Sequence, residues 1–178
     1  ATNTTVNGGS MDIYSGGVAN STIVNYWGDM YISSGGVANS TTVNYSGYMY
    51  ISSGGVANST TVNSRGSMYI SSGGLANSTT VNNGGYMYIS SGGWANRTTV
   101  NYGGSLYISS GGVADNTVVS MGAYMHIYGG SASNTSVSDG RIRYALSAIK
   151  SVGRSVIDTI VYERKCNGPF ASLKDFVE

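Results

Sequence analysis

Few residues of this chain could carry out acid–base, nucleophilic or metal chemistry. The sequence has one histidine, His126, and one cysteine, Cys166, and its eight Asp and Glu residues are scattered. No pair of carboxylates recurs along the chain, and metal-ligand spacings, phosphate-cradling loops and nucleophile motifs are missing from the sequence. The sequence therefore predicts a protein that is not an enzyme and that needs no cofactor or metal.

Tyrosine and asparagine side chains, by contrast, recur at a fixed spacing of 19 residues. The tyrosines are Tyr31, Tyr50, Tyr69, Tyr88 and Tyr107, and His126 continues their series. The asparagines form two series, Asn25, Asn44, Asn63, Asn82 and Asn101, and Asn20, Asn39, Asn58, Asn77 and Asn96. Two interpretations are open. Stacked like side chains stabilise a repeat structure, or the tyrosine series is a binding column for glycans or for the surface of another cell.

The element that positions these side chains is the repeat itself, represented by residues 34–52. Residues 41–44 and 49–52 alternate apolar and polar side chains, which predicts short strands with one buried face. Gly47 and the pair Gly54–Gly55 mark corners between the strands. A unit of 19 residues is too small to bury its own apolar face, so stacked copies predict a β-solenoid.

Stacking also predicts columns of identical inward side chains. Five columns are expected, and they begin at Ile13, Ala19, Thr22, Val24 and Met30. The buried threonine hydroxyl needs a hydrogen-bond partner, most simply a backbone carbonyl or the next threonine. About seven coils at ~4.8 Å each give a rod of roughly 33 Å.

The repeat is irregular at both ends. One residue is missing before Met11 and another after Ile127, and Val137 is the last clear inward position. An open first coil would expose unpaired strand backbone. Three interpretations of the first coil are open. Asp12 places a charge at this edge and acts as a partial cap, further coils precede the first one, or copies of the protein associate end to end through the exposed edge.

Residues 35–44 (Gly-Gly-Val-Ala-Asn-Ser-Thr-Thr-Val-Asn) and 49–55 (Met-Tyr-Ile-Ser-Ser-Gly-Gly) resemble the repeat of AIDA-type autotransporter adhesins. The resemblance covers residues 1–138. It implies a β-solenoid stalk on the surface of Gram-negative bacteria, a role in adhesion and self-association, and O-glycosylation with heptose on serine and threonine.

The composition changes after residue 138. Residues 141–178 hold seven of the nine Lys and Arg residues, and their apolar spacing is helical, with Ile142 in a first helix and Ile157 in a second. The fold class expected for the whole chain is an all-β solenoid of about seven coils (residues 1–138) with a small C-terminal α-helical hairpin (residues 139–178).

The tail resembles the helix-hairpin-helix of the bacterial DNA polymerase III alpha subunit over residues 141–176. That resemblance implies contact with a DNA phosphate through Lys150, Val152, Gly153 and Arg154, although Ser151 replaces the first hairpin glycine. The structural alternative is that the tail caps the last coil of the solenoid.

Two functions follow from the sequence. The first is an adhesive surface module, extracellular or on the bacterial cell surface, whose partners are itself, a host cell or glycans. The second is a cytoplasmic protein that binds duplex DNA through residues 141–164. The net charge of +1 gives no strong global attraction to nucleic acid or anionic lipid, and we expect no membrane span.

Overall fold

The structure is a computed structural model, and it describes residues 1–138 and 141–144. These residues form a compact unit, Ala1–Tyr144, made of short strands in three parallel sheets. Each coil contributes one strand to each sheet. The all-β solenoid of about seven coils is therefore confirmed. Of the hairpin predicted for residues 139–178, all but residues 141–144 lies outside the described residues.

The strand bounds show the same three-strand unit in every coil. Sheet 1 consists of β1 (Thr5–Asn7), β4 (Ile23–Asn25), β7 (Thr42–Val43), β10 (Thr61–Val62), β13 (Thr80–Val81), β16 (Thr99–Val100), β19 (Val118–Val119) and β22 (Ser136–Val137). Sheet 2 consists of β2 (Ser10–Ile13), β5 (Asp29–Ile32), β8 (Tyr48–Ile51), β11 (Ser67–Ile70), β14 (Tyr86–Ile89), β17 (Ser105–Ser109), β20 (Tyr124–Tyr128) and β23 (Arg141–Tyr144). Sheet 3 consists of β3 (Val18–Asn20), β6 (Val37–Asn39), β9 (Val56–Asn58), β12 (Leu75–Asn77), β15 (Trp94–Asn96), β18 (Val113–Asp115) and β21 (Ser131–Ser133).

Equivalent residues of successive coils pair directly with one another. Met68 is in register with Met87, and Val62 is in register with Val81. Every strand pair in the three sheets is parallel. Because the register equals the sequence repeat, each inward side chain contacts a copy of itself along the rod axis.

The inward columns form one continuous hydrophobic core. The Ala, Val, Met and Ile columns are almost completely buried, and Leu106 takes one methionine position at 0% exposure. Burying a side chain of this size contributes about 1.5–3 kcal/mol. Since no coil closes a core alone, that contribution depends on the neighbouring coils.

The threonine column is buried as expected, but its hydroxyls have no partners. Its members are Thr22, Thr41, Thr60, Thr79, Thr98 and Thr117, and each is at most 1% exposed. Their Oγ1 atoms make no hydrogen bond to any residue that the structure describes. Neighbouring threonines are one strand spacing apart, about 4.8 Å, which is too far for a hydroxyl pair. The threonine carbonyls accept ladder bonds, as in Thr42 N–H to Thr22 O at 2.8 Å.

The two glycines of each Gly-Gly corner have different roles. Gly73 has φ +81°, in the left-handed region that favours glycine, and open space around its missing Cβ. Gly74 has no such torsion, but a Cβ there would lie 2.3 Å from the carbonyl oxygen of Ile51 in the preceding coil. The corner therefore needs one glycine for its torsion and the next for close packing of coils.

Serines, tyrosines, arginines, asparagines and Trp27 also take left-handed torsions, in addition to the corner glycines. Ser34 (φ 49°) and Gly35 (φ 81°) are the two central residues of a turn closed by a Gly36 N–H bond to Ser33 O. Tyr45 and Ser46 form the equivalent turn at the next corner. Two consecutive residues with positive φ define the type I′ geometry.

The structure has shortened segments at the two places where the sequence repeat lacks a residue. The pairing offset is 18 residues at Asn7–Asn25 and becomes 19 at Ser10–Asp29, so the short segment lies before Met11 as predicted. A second shortening lies between Tyr128 and Ser131, again as predicted.

One prediction for the C-terminal end is wrong. Arg141–Tyr144 is strand β23, in register with residues 124–127 of β20, whereas the apolar spacing placed Ile142 in a helix. The reason is competition between two patterns. Residues 141–144 also alternate polar and apolar side chains, as a strand does. Strand β20, at the edge of sheet 2, supplies backbone partners for all four residues.

Candidate functional site

The outward face of sheet 2 carries the most regular surface of the described residues. The tyrosine column consists of Tyr31, Tyr50, Tyr69, Tyr88 and Tyr107, one from each of five successive strands. Successive rings are stacked with centroids 4.9–5.2 Å apart and planes within 12° of each other. His126 continues the stack on Tyr107 at 4.8 Å. The rings thus form the stacked column that the repeat predicts, and its role in binding stays a prediction.

Stacking determines what this column can offer to a ligand. The ring faces of the inner members are covered by their neighbours, so ring edges and hydroxyls face outward. Tyr31, the first ring, is 40% exposed, and the others are half-buried. Burial also raises the pKa of Tyr50, helped by the negative charge of Asp29, and raises the pKa of Tyr88. Tyr50 and Tyr88 therefore present neutral phenol groups as donors and acceptors.

A second column beside it was not recognised from the sequence. Its outward residues are Tyr48, Ser67, Tyr86, Ser105 and Tyr124, which we call the alternating column. Each of its tyrosines lies beside a ring of its own strand, with centroids 6.3–6.4 Å apart and planes within 20°. A comparison of alternate repeats, rather than of neighbouring repeats, would have found this period.

The two asparagine columns form hydrogen-bonded amide ladders. In the ladder of Asn25, Asn44, Asn63, Asn82 and Asn101, each Nδ2 donates to the Oδ1 of the preceding coil at 2.7–2.9 Å. The other ladder is bonded in the same way from Asn20 to Asn77. Most of this amide capacity is used internally, which favours the structural interpretation of the asparagines.

Asp115 lies in register with Asn96, beyond the last bond of the second ladder. Its Oδ1 accepts from Ser133 Oγ at 2.7 Å and from Asn134 Nδ2 at 2.8 Å, and its Oδ2 accepts from Asn116 Nδ2 at 2.9 Å. The hydrogen bond from Ser133, followed by that from Asn134, holds the pKa of this carboxyl below its ordinary value. The acidic side chain is thus satisfied by its own corner of the solenoid.

An exposed aromatic corner lies between sheets 1 and 2 in the first coils. Trp27 is 70% exposed, and the rings of Tyr26 and Tyr45 stack at 5.8 Å. In the sequence, this corner is marked by two adjacent aromatic residues, Tyr26 and Trp27, where the next coil has Tyr45 and Ser46. Trp94 begins strand β15, directly after a Gly-Gly corner, and is half exposed on the outside of sheet 3.

Metal-binding clusters are missing from the part of the chain that the structure describes. In that part, His, Cys, Asp and Glu side chains form no group of three that could hold a metal ion. Nor do those residues include a helix long and apolar enough to cross a membrane. The predicted phosphate contacts Lys150, Val152, Gly153 and Arg154 lie outside the described residues.

The C-terminal residues are similar to a helix-hairpin-helix motif and to a short segment of a polymerase subunit. A family profile described as a helix-hairpin-helix motif matches residues 129–178. The DNA polymerase III alpha subunit of Chlamydia trachomatis is 57% identical over 37 residues, which is 21% of this chain and 3% of that protein. That of Chlamydia pneumoniae is 46% identical over 41 residues, or 23% of this chain and 3% of the polymerase. The chain thus spans about 3% of the length of these curated relatives.

The solenoid is similar to a solved adhesin structure. The crystal structure of the TibC-catalyzed hyper-glycosylated TibA55-350 fragment matches with a TM-score of 0.61 and 38% identity. The match covers 83% of this chain and 69% of the TibA fragment. A family profile described as an adhesin of the bacterial autotransporter system, probable stalk, matches residues 1–47 and 87–141. Together with the in-register coils, these matches show that the chain belongs to the stalk family of bacterial autotransporter adhesins.

Proposed function

We propose that this chain acts on the bacterial surface as a non-enzymatic adhesive stalk module that associates with copies of itself. The observation that carries this proposal is the repetition of the same outward groups on five successive strands of sheet 2. An enzyme or small-molecule receptor concentrates a few polar groups in one concave pocket. A row of equal groups at a constant spacing suits a partner that is also repetitive.

Repetition makes weak contacts effective. Each exposed phenol or amide contributes little alone, because water competes for the same hydrogen bonds. When neighbouring contacts are connected by a rigid rod, the second and later contacts form at high effective concentration. The nearly neutral surface adds no long-range repulsion between copies, since the formal net charge is +1.

The test is sedimentation of the purified full chain over a concentration series, together with aggregation of bacteria that display it. We expect reversible association in solution and clumping of displaying cells but not of cells that display a scrambled-repeat control. A chain that stays monomeric at every concentration, leaves cells dispersed and binds no host cell or glycan would contradict the proposal.

Possible glycosylation sites on this chain support a location on the bacterial surface. The TibA fragment is described as hyper-glycosylated, and this chain presents exposed corner serines in each regular coil, such as Ser34 and Ser53. We propose that such corner hydroxyls accept sugars when a matching glycosyltransferase is present. Intact-mass analysis after co-expression with TibC measures this directly, and an unchanged mass would exclude these serines as acceptors for that enzyme.

A second candidate function is contact with duplex DNA through residues 141–164. The helix-hairpin-helix match and the polymerase relatives favour it. We expect binding that weakens as salt rises, because neutralised phosphates release counterions. The Lys150→Ala, Arg154→Ala double variant should bind more weakly than the parent. The matched control is Arg65→Ala, Arg97→Ala, which removes the same charge from the solenoid. Equal binding by both double variants would rule out the hairpin site.

A further inference from the structure

The tyrosine column places phenol groups of one chain in direct succession along the outward face of sheet 2. Tyr69 stacks on Tyr50 with ring centroids 5.2 Å apart and planes 12° apart, and on Tyr88 at 4.9 Å and 8°. These residues pair in register on neighbouring strands, so their side chains leave the backbone at equivalent points. Equivalent atoms of two neighbouring rings are therefore separated by about one ring spacing.

Phenol rings that are held side by side can be joined by oxidation. A one-electron oxidant removes an electron and the hydroxyl proton from a tyrosine, which leaves a radical shared by the oxygen and ring carbons that include the two ortho positions. When two such radicals meet, an ortho carbon of each ring forms a new C–C bond. The hydrogen on each of these carbons then moves to the oxygen, so that both rings become phenols again. The product, dityrosine, has two hydrogen atoms fewer than the two tyrosines.

The geometry of the column favours coupling inside one chain. A radical on Tyr69 has a second phenol 4.9–5.2 Å away on either side, whereas the phenol of another molecule must first diffuse to it. Groups that a rigid scaffold holds together react at a high effective concentration. The inner rings are half-buried by their neighbours, but their outer edges and hydroxyls face outward, so an oxidant can reach them.

We propose that the tyrosine column is a site of oxidative crosslinking, where hydrogen peroxide and a haem peroxidase join successive coils by dityrosine bonds. For each coupled pair, peroxide accepts two electrons and two protons and becomes two molecules of water. The bond connects residues 19 positions apart in the sequence. It restricts the unfolded chain in the way that a disulfide does, so the crosslinked rod resists unfolding more than the parent.

Stacking, and not exposure, selects the residues that couple. Tyr14 and Tyr102 are 62% and 67% exposed, but neither stacks on another ring among the residues that the structure describes. Tyr26 and Tyr45 do stack at a corner, but their centroids are 5.8 Å apart, which is wider than any step between tyrosines of the column. We therefore expect the first crosslinks in the tyrosine column.

An arginine between two coils makes the crosslink easy to detect. Trypsin cuts the denatured chain after Arg65, which separates Tyr50 from Tyr69, and the next arginine ends fragment 66–97. A dityrosine bond between these two tyrosines keeps fragment 1–65 attached to fragment 66–97. The purified full chain is treated at low concentration with peroxidase and hydrogen peroxide. Electrophoresis then separates single chains from dimers, and mass spectrometry identifies the tryptic fragments.

We expect the parent to remain a single chain, to lose two hydrogen atoms per crosslink and to yield joined fragments. Tyr69→Phe keeps a ring in the stack but removes its phenol, so the joining of fragments 1–65 and 66–97 should fall about tenfold or more. Tyr50→Phe removes the other phenol of the same bond. It should give the same loss, and it serves if Tyr69→Phe does not fold. Circular dichroism before oxidation establishes that each variant is folded.

The Tyr69→Phe chain contains its own internal control. Tyr88 and Tyr107 remain stacked at 5.0 Å in the unchanged part of the column. Their coupling should still attach fragment 66–97 to fragment 98–141. Tyr102→Phe is the matched control variant, because it removes one of the most exposed phenols and leaves the column intact. It should form both fragment pairs as the parent does.

Three outcomes would overturn the proposal. The first is a parent whose fragments separate completely after oxidation. The second is a Tyr69→Phe chain whose fragments 1–65 and 66–97 stay joined to the parental extent, because the bond would then use other tyrosines. The third is crosslinking only between molecules, which would show that exposed tyrosines such as Tyr102 react first. All three are independent of the proposed adhesive function, since the expected reaction takes place within one chain.

Discussion

The inward and outward positions of this solenoid belong to the same 19-residue repeat, but the residue type varies more from coil to coil at the outward positions. In the core, the Ala and Ile columns keep one residue type from β3 to β18 and from β5 to β20. Outside, one register position of sheet 2 alternates between Tyr and Ser, and one of sheet 3 passes from Val56 through Leu75 to Trp94. The core and the corners therefore maintain the fold, and the outward positions are free to differ between coils.

The sharpest test of this contrast is at a single corner. Gly74→Ala should destabilise the rod by about 3 kcal/mol or more, because the new Cβ meets backbone rather than a movable side chain. Its nearest atoms would be the carbonyl oxygen of Ile51 at 2.3 Å and the nitrogen of Ser52 at 2.9 Å. Urea unfolding followed by circular dichroism measures the loss.

The neighbouring glycine is the matched control. Gly73→Ala should cost roughly 1–2 kcal/mol, because its surroundings are open and only the left-handed torsion opposes a side chain. At the other corner, Ala123 already occupies the position that is Gly104 one coil earlier. Equal losses for Gly73→Ala and Gly74→Ala would show that torsion, and not the approach of the coils, decides the corner.

A substitution in the threonine column should have the opposite effect and increase the stability of the rod. Thr60→Val should stabilise the rod by about 1 kcal/mol, because it replaces a buried, unpaired hydroxyl with a methyl group of similar size. Thr61→Val, one residue away on the outward face, should change stability by only a few tenths of a kcal/mol. A stability loss at Thr60 would mean that the interior hydroxyls have a structural role.

The amide ladders should give a smaller effect. Asn63→Ala removes the hydrogen bonds to Asn44 at 2.7 Å and from Asn82 at 2.8 Å. Because these amides are partly exposed, we expect a loss of about 1 kcal/mol in urea unfolding. The exposed corner residue Asn83 is the control, and Asn83→Ala should be close to neutral. A neutral Asn63→Ala would show that water replaces the ladder without cost.

The smallest effect concerns alkaline pH. The raised pKa values of Tyr50 and Tyr88 mean that the fold favours their neutral phenols. Their contribution is complete below the ordinary tyrosine pKa of 10.0 and is lost as pH rises above it. Thermal unfolding should therefore begin to shift downward near that pH, together with a late rise in tyrosinate absorbance. A Tyr50→Phe, Tyr88→Phe variant should lose part of the shift, and an unchanged titration would contradict the assignment.

The periodic part of the fold could be predicted from the sequence because a fixed repeat allows few structures. Once residues 34–52 are placed as stacked coils, the inward positions of Val43, Met49 and Ile51 and the outward position of Tyr50 follow from alternation alone. The two short segments could be located as well, since they interrupt a regular count.

Three features could not be predicted, each for a physical reason. The left-handed torsions of Tyr45 and Ser46 contradict residue preference and are imposed by the turn that the stacked coils require. The unpaired hydroxyl of Thr60 depends on the exact separation of strands. The alternating column was overlooked because comparison of neighbouring repeats presents Ser67 as simple divergence, although its neighbours give it a definite environment.

Strand β23 has a consequence for how such a rod is extended. The helix-hairpin-helix profile begins at residue 129, so it shares residues 129–141 with the stalk profile, and residues 141–144 complete a rung of sheet 2. To pair with the last coil of the solenoid, a following segment needs only about four residues with alternating polar and apolar side chains, because most of the contacts are hydrogen bonds between backbones. A following segment that supplies four such residues can therefore extend the rod by direct pairing with its last coil.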